Sequence, residues 1–157
     1  MKKALVLIIV GCVTLVGWAS PEVGDFVMYT FKRTLPNGTV LNGNYRNEII
    51  TVTDTEVISK VTITSPEIGT IEQTELFLRE SIMSKTQIAH ILTHCEARGG
   101  IPSQIVVEGG SFTTCQFSVD NGIIWIGMVP FGYVKGALFG DDGSFKFEVS
   151  NYRFGNR

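Results

Sequence analysis

From Asp25 onward the chain is cut by turn-forming residues into short β-branched and aromatic runs, and only one stretch breaks that pattern with helical spacing. Leu35-Pro36-Asn37-Gly38, Asn42-Gly43-Asn44, Asp54-Thr55-Glu56, Ser65-Pro66, Gly109-Gly110, Asp120-Asn121-Gly122, Pro130-Phe131-Gly132 and Asp141-Asp142-Gly143-Ser144 are the punctuation. Asn, Asp and Gly tolerate positive φ, and proline presets the first central position of a turn. Between these marks lie residues 25–34, 45–52, 57–64, 104–108, 111–119, 123–129, 133–139 and 145–154, strand-like by residue type and alternation. Residues 71–78 (IEQTELFL) carry acids that suit a helix, but their place after a turn assigns them as a further meander strand. Runs and connections this short predict a mainly β (α+β) fold: a curved antiparallel meander or half-barrel of eight to nine strands with one helix packed on it.

The exception opens at Ser84-Lys85-Thr86-Gln87, which has the form of a capping box. Ile88, Ile91, Leu92 and Cys95 follow at i, i+3, i+4 and i+7, one face of a helix that Gly99-Gly100 stops. His90 and His94 fall roughly 200° and 240° round from Ile88 at 100° per residue, opposite that face. An i, i+4 histidine pair can hold a metal, but no third ligand is evident and the HExxH pattern is absent, so no metal site is assigned.

Met1-Lys2-Lys3, the apolar run from Ala4 to Trp18 and the small residues Gly17 and Ala19 have the form of a secretory signal peptide. The run is shorter than the roughly 20 residues of a spanning helix. Cleavage after Ala19 is expected, leaving residues 20–157 as a single exported, β-rich domain with no transmembrane segment, periplasmic or extracellular. Ile9-Val10-Gly11-Cys12 also resembles a lipoprotein box, so a lipid-anchored form through Cys12 is the minor alternative. Removing Lys2 and Lys3 moves the formal charge from −2 to −4, and the remainder holds no basic cluster, which sets nucleic-acid binding aside.

In an oxidising compartment Cys95 and Cys115 are the obvious disulfide pair once Cys12 is removed. The bond closes a loop of about 20 residues, worth about 3 kcal/mol by loop entropy. On the second strand of its hairpin Cys115 shares a face with Thr113, Phe117 and Val119, so the staple is expected to join helix to sheet.

Catalysis has little to stand on. No GxSxG elbow is present, Gly109-Gly110-Ser111 is explained by a turn, and the cysteines are committed to each other. Asp141-Asp142-Gly143 lacks the spaced ligands and closing glutamate of a calcium loop. The protein is therefore expected to be no enzyme and to need no cofactor. Aromatic residues are spread over most strands while one helix is available to cover them, which suggests a cavity between sheet and helix. Its candidate lining is Phe26, Ile88, Ile91, Leu92, Phe117, Trp125, Phe131 and Tyr133.

Val107-Glu108-Gly109-Gly110-Ser111-Phe112-Thr113-Thr114-Cys115, Trp125 and Val129-Pro130-Phe131-Gly132-Tyr133-Val134-Lys135 resemble a pattern of uncharacterised exported bacterial β-proteins. Those carry a V-x-A-G-T-F-x-T-C-like hairpin, a tryptophan strand and a V-P-x-G-hydrophobic-V-K turn; here Gly109 and Ser111 replace the small residue and threonine. The resemblance covers residues 84–154 and implies a fold similar to the open half-barrels of periplasmic lipoprotein carriers, with no catalytic residues to carry over. The function expected is non-enzymatic binding of an apolar or amphipathic ligand, a lipid or lipidated peptide, between sheet and helix. The alternative is a structural or protein-interaction component of the cell envelope, with an envelope protein as partner and no ligand cavity.

Overall fold

The computed structural model describes residues 21–155. The expected signal peptide of residues 1–19 and the lipoprotein-like box at Cys12 lie outside the described residues. The strands are β1 (Phe26–Thr34), β2 (Val40–Val52), β3 (Glu56–Ser65), β4 (Gly69–Leu78), β5 (Ile101–Val107), β6 (Gly110–Val119), β7 (Gly122–Gly127), β8 (Tyr133–Gly140) and β9 (Gly143–Arg153). They form one nine-stranded antiparallel sheet in the order β4-β3-β2-β1-β9-β8-β7-β6-β5, which is not closed into a barrel. Two meanders, β1 to β4 and β5 to β9, are joined where β1 pairs with β9 from Phe26 opposite Arg153 to Thr34 opposite Ser144.

The join has a topological consequence. β4 and β5 are consecutive in sequence but form opposite edges of the sheet. Their connection, residues 79–100, therefore runs from one edge to the other. It contains a 3₁₀ turn (Arg79–Ser81), helix α1 (Lys85–Thr93) and a second 3₁₀ turn (Glu96–Arg98). Ile82 packs with Ile49 and Val57 at the β2–β3 end, and Ile88 with Ile124 and Ile126 on β7. The segment is a strap across one face of the sheet.

Ser84 caps α1 as the sequence predicts: its hydroxyl accepts from Gln87 N–H at 3.2 Å, and Gln87 Oε1 accepts from Ser84 N–H at 2.7 Å. The helix ends at Thr93, so Cys95 lies just beyond it and not on its i+7 face, yet is still buried. Cys95 and Cys115 form the disulfide, with Cα atoms 5.6 Å apart. The far end of the strap is thus bonded to β6.

Residues 71–78 are strand, within β4. Three other boundaries differ from expectation. Asn42-Gly43-Asn44 is no turn: β2 runs through it, paired with β1 on one side and from Asn44 with β3 on the other. Gly43 is there because a Cβ would meet the Phe31 ring and the Thr64 carbonyl, a close approach only glycine permits. The β5–β6 turn is Glu108-Gly109, not Gly109-Gly110, since Val107 pairs with Gly110. A Cβ at Gly109 would press on Val149, and the Gly109 N–H instead donates to the Val149 carbonyl at 2.9 Å, docking the hairpin tip on β9. Finally β7 stops at Gly127, and Met128 to Gly132 form the connection to β8.

The largest core cluster gathers Val27, Tyr29, Val107, Phe112, Val129, Val134 and Val149 where that tip folds back. A second holds Ile49, Val57 and Ile82, and a third Ile88, Ile124 and Ile126 under the helix. Phe131 is the residue packed against both of the first two.

Candidate functional site

The space between strap and sheet is where a ligand would have to sit. Ile88 is fully buried, and Ile91, Leu92, Phe117 and Tyr133 are half-buried around the same helix-side cluster. Phe131 lies one cluster away, between Ile82 and the central core. Phe26 and Trp125 are elsewhere. Each alternates along its strand with residues of the strap-side clusters, Val27 for Phe26, Ile124 and Ile126 for Trp125, and so faces the other way. Arg46 lies 3.9 Å and Arg153 5.4 Å from the Phe26 ring centroid, while Lys135 Nζ stands 5.8 Å from that of Trp125. Of the residues named from sequence, the fold thus brings Ile88, Ile91, Leu92, Phe117 and Tyr133 together, sets Phe131 beside them and separates Phe26 and Trp125.

A cavity of about 10 Å³ remains beneath the strap, lined by Asp25, Ile49, Ile82, Met83, Phe131 and Phe154 among others. Space on that scale holds about one water molecule. Of the residues named from sequence, only Phe131 lines it. The Asp25 carboxylate at its rim accepts from Glu22 N–H at 2.9 Å and from Gly155 N–H, so it ties both ends of the described chain to the start of β1. Lys85, at the start of α1, places its Nζ 4.0 Å from the Phe154 ring centroid.

Phe131 has the one non-glycine positive φ among the described residues, 65°. Its turn is closed by Gly132 N–H donating to Val129 O at 2.9 Å, with Pro130 second and Phe131 third. That third position in a type II turn is normally glycine, because an L side chain in the left-handed region costs roughly 1–2 kcal/mol. The ring offsets the cost by filling the gap between two clusters. Proline pointed to the turn from the sequence, but nothing local marked the phenylalanine as the bridge.

Three tyrosines cross the middle of the sheet. The Tyr29 hydroxyl donates to the Tyr133 carbonyl at 3.0 Å, and the Tyr29 and Tyr45 ring centroids are 6.1 Å apart. Burial, then the neighbouring Tyr45 and Tyr133, holds the Tyr29 hydroxyl well above the ordinary tyrosine range. Burial and then the Glu75 carboxylate raise Tyr45, and burial raises Tyr133. None of these is poised to act as an acid or base near neutral pH. Beside them, Asn47 Oδ1 and Ser59 Oγ are buried without a hydrogen-bond partner.

His90 and His94 are stacked, with centroids 4.3 Å apart. A guanidinium only donates, so His90 Nδ1 must accept from Arg98 at 3.1 Å; His94 Nδ1 faces the His90 carbonyl at 3.0 Å and donates to it. Desolvation first, then the neighbouring His94 ring and Arg98 guanidinium, lower the His90 pKa. The pair closes the end of α1, and no group of three or more His, Cys, Asp or Glu among the described residues is placed to hold a metal ion. No helix among them is long and apolar enough to cross a membrane.

No protein-family model matches the chain, and no curated protein matches it.

Proposed function

We propose that the protein is an exported, non-enzymatic component of the bacterial cell envelope that acts through its outer surface, the space between strap and sheet being filled by its own side chains. One observation carries this reading over a lipid carrier. The cavity under the strap has a volume of about 10 Å³, whereas small-molecule pockets run to roughly 300–1,000 Å³. The helix-side apolar residues named from sequence pack around Ile88, Ile124 and Ile126, which supports a space taken up by the protein's own side chains.

Export is supported by the signal-like residues 1–19 and by a disulfide whose cysteines are both buried, a bond that persists outside the reducing cytosol. The resemblance of residues 84–154 to exported β-proteins points the same way. Catalysis is left out because the two histidines are engaged at the helix end and the cysteines with each other.

Native mass spectrometry of protein recovered from the bacterial periplasm tests the reading. The expected spectrum is the processed polypeptide with one disulfide and nothing else bound. A co-purifying lipid, or saturable binding of an apolar dye that competes with it, would restore the carrier reading and require the strap to lift.

A further inference from the structure

The sheet ends in two edge strands that are treated differently. β5 is seven residues long, carries Pro102, and belongs to the hairpin that is docked on β9 and held by the disulfide through Cys115. β4 is ten residues long, has no proline and is exposed at each of its first six positions. It displays Ile71, Leu76 and Leu78 at 44%, 63% and 59% exposure, and no strand among the described residues pairs with its outer edge. An uncovered edge of this length, carrying apolar side chains, is a template for another strand.

We propose that the strand it takes is β4 of a second copy of this chain, paired antiparallel about Thr74 so that two nine-stranded sheets become one. This stands whether or not the space under the strap ever holds a ligand.

The residues of β4 select both the partner and the register. Pairing about Thr74 sets Ile71 opposite Phe77 and Gln73 opposite Glu75, each twice, with Glu72 opposite Leu76. Ile71 and Phe77 face the same side of the sheet as Ile63 and Val57, their partners on β3, so an apolar strip continues across the junction. Gln73 Nε2 already donates to Glu75 Oε1 at 2.8 Å within the strand, and the two-fold axis lets the same amide–carboxylate pairing form between copies. The Glu72 charge is met from its own sheet by Lys60 at 2.8 Å. Centring on Glu72 or on Glu75 would instead oppose like carboxylates directly, and centring on Gln73 would set Ile71 against Glu75 and break the apolar strip. The two glutamates therefore exclude the registers about Glu72 and Glu75, and the Ile71–Phe77 pairing favours Thr74 over Gln73. An interface of about ten residues a side is small, so association in the micromolar range is expected.

Light scattering and sedimentation on the oxidised protein from about 1 μM to 1 mM should show a monomer becoming a dimer. Gln73→Glu, which sets carboxylate against carboxylate, should weaken association at least about tenfold without altering the circular dichroism of the fold. Thr74→Cys, at the axis, should form a disulfide-linked dimer at least about tenfold faster than Leu78→Cys, which the register places opposite Thr70. A monomer throughout the range would overturn the proposal and leave β4 to the strand of another protein. So would a dimer that is indifferent to Gln73→Glu and cross-links equally fast from either cysteine.

Discussion

The two ends of this sheet reach stability by different means. At the β5 end a short strand is bonded through its neighbour to the strap, its hairpin tip donates to β9, and Val107 and Phe112 enter the central core. At the β4 end the strand pairs with β3 alone, and only Glu75 and Phe77 are even half-buried, Phe77 against the cluster of Ile49, Val57 and Ile82. An edge secured covalently and by packing resists pairing with another chain, whereas one held by a single hydrogen-bonded ladder invites it. The covalent tie and the short, proline-bearing strand set the β5 end apart from β4, although β5 also exposes Ile101 and Val106.

The sharpest way to break this contrast is to remove the tie. Replacing both Cys95 and Cys115 with alanine should cost about 3 kcal/mol. The melting temperature of a domain this size should fall by about 10 °C. Hydrogen exchange should quicken in residues 95–119 and leave β3 and β4 as they were. Leu76→Ala at the other end should change stability by less than about 0.5 kcal/mol, because the side chain is 63% exposed. Equal losses from the two changes would mean that the ends are not distinct.

What the sequence conveyed about this architecture follows the range of the interactions involved. The capping box at Ser84 and Gln87, the turns at Asn37-Gly38 and Asp141-Asp142, and the alternation of strands are local, and all are present in the fold. The disulfide was legible because the expected mature chain leaves only two cysteines. Strand order was not legible: that β1 pairs with β9, and that residues 79–100 must then span the sheet, depends on contacts between opposite ends of the chain. Gly43 misled because its flanking asparagines spell a turn, while its real constraint is a ring from β1. Which of the candidate lining residues come together was hidden for the same reason, since aromatic content does not say which face of a strand each ring occupies; Phe26 and Trp125 face away from the strap-side clusters.

The middle of the sheet, where both ends meet, can be weakened by base. Below pH 10 Tyr29 is protonated in the folded and the unfolded chain, and the packing around it is at full strength. Above pH 10 the unfolded chain releases that proton while the fold, with its raised pKa, retains it. Stability should therefore fall as pH rises, by about 1.4 kcal/mol per pH unit for this one group. Tyr45 and Tyr133 shift in the same direction and should add to the loss. Urea melts at pH 9, 10 and 11 should show the midpoint falling only beyond pH 10, and Tyr29→Phe should flatten that fall. A midpoint that fell equally steeply in the Phe variant would remove Tyr29 from the account.

Phe131 offers the finest test of how the two ends are joined, because it sets a backbone cost against a packing gain at one residue. Its ring ties the cluster of Ile49, Val57 and Ile82 to the core that holds the β5–β6 tip. Losing the ring should destabilise the protein whatever replaces it. At most positions outside such turns alanine would be the gentler replacement, since glycine adds freedom to the unfolded chain. At φ 65° the order should invert. Phe131→Gly should be more stable than Phe131→Ala by about 1 kcal/mol, because only alanine still suffers the left-handed backbone. Chemical denaturation of the two variants measures the difference directly. If alanine proved the more stable, the turn would have relaxed on losing the ring, and the strained conformation would be a product of the packing between the two ends rather than of the turn itself.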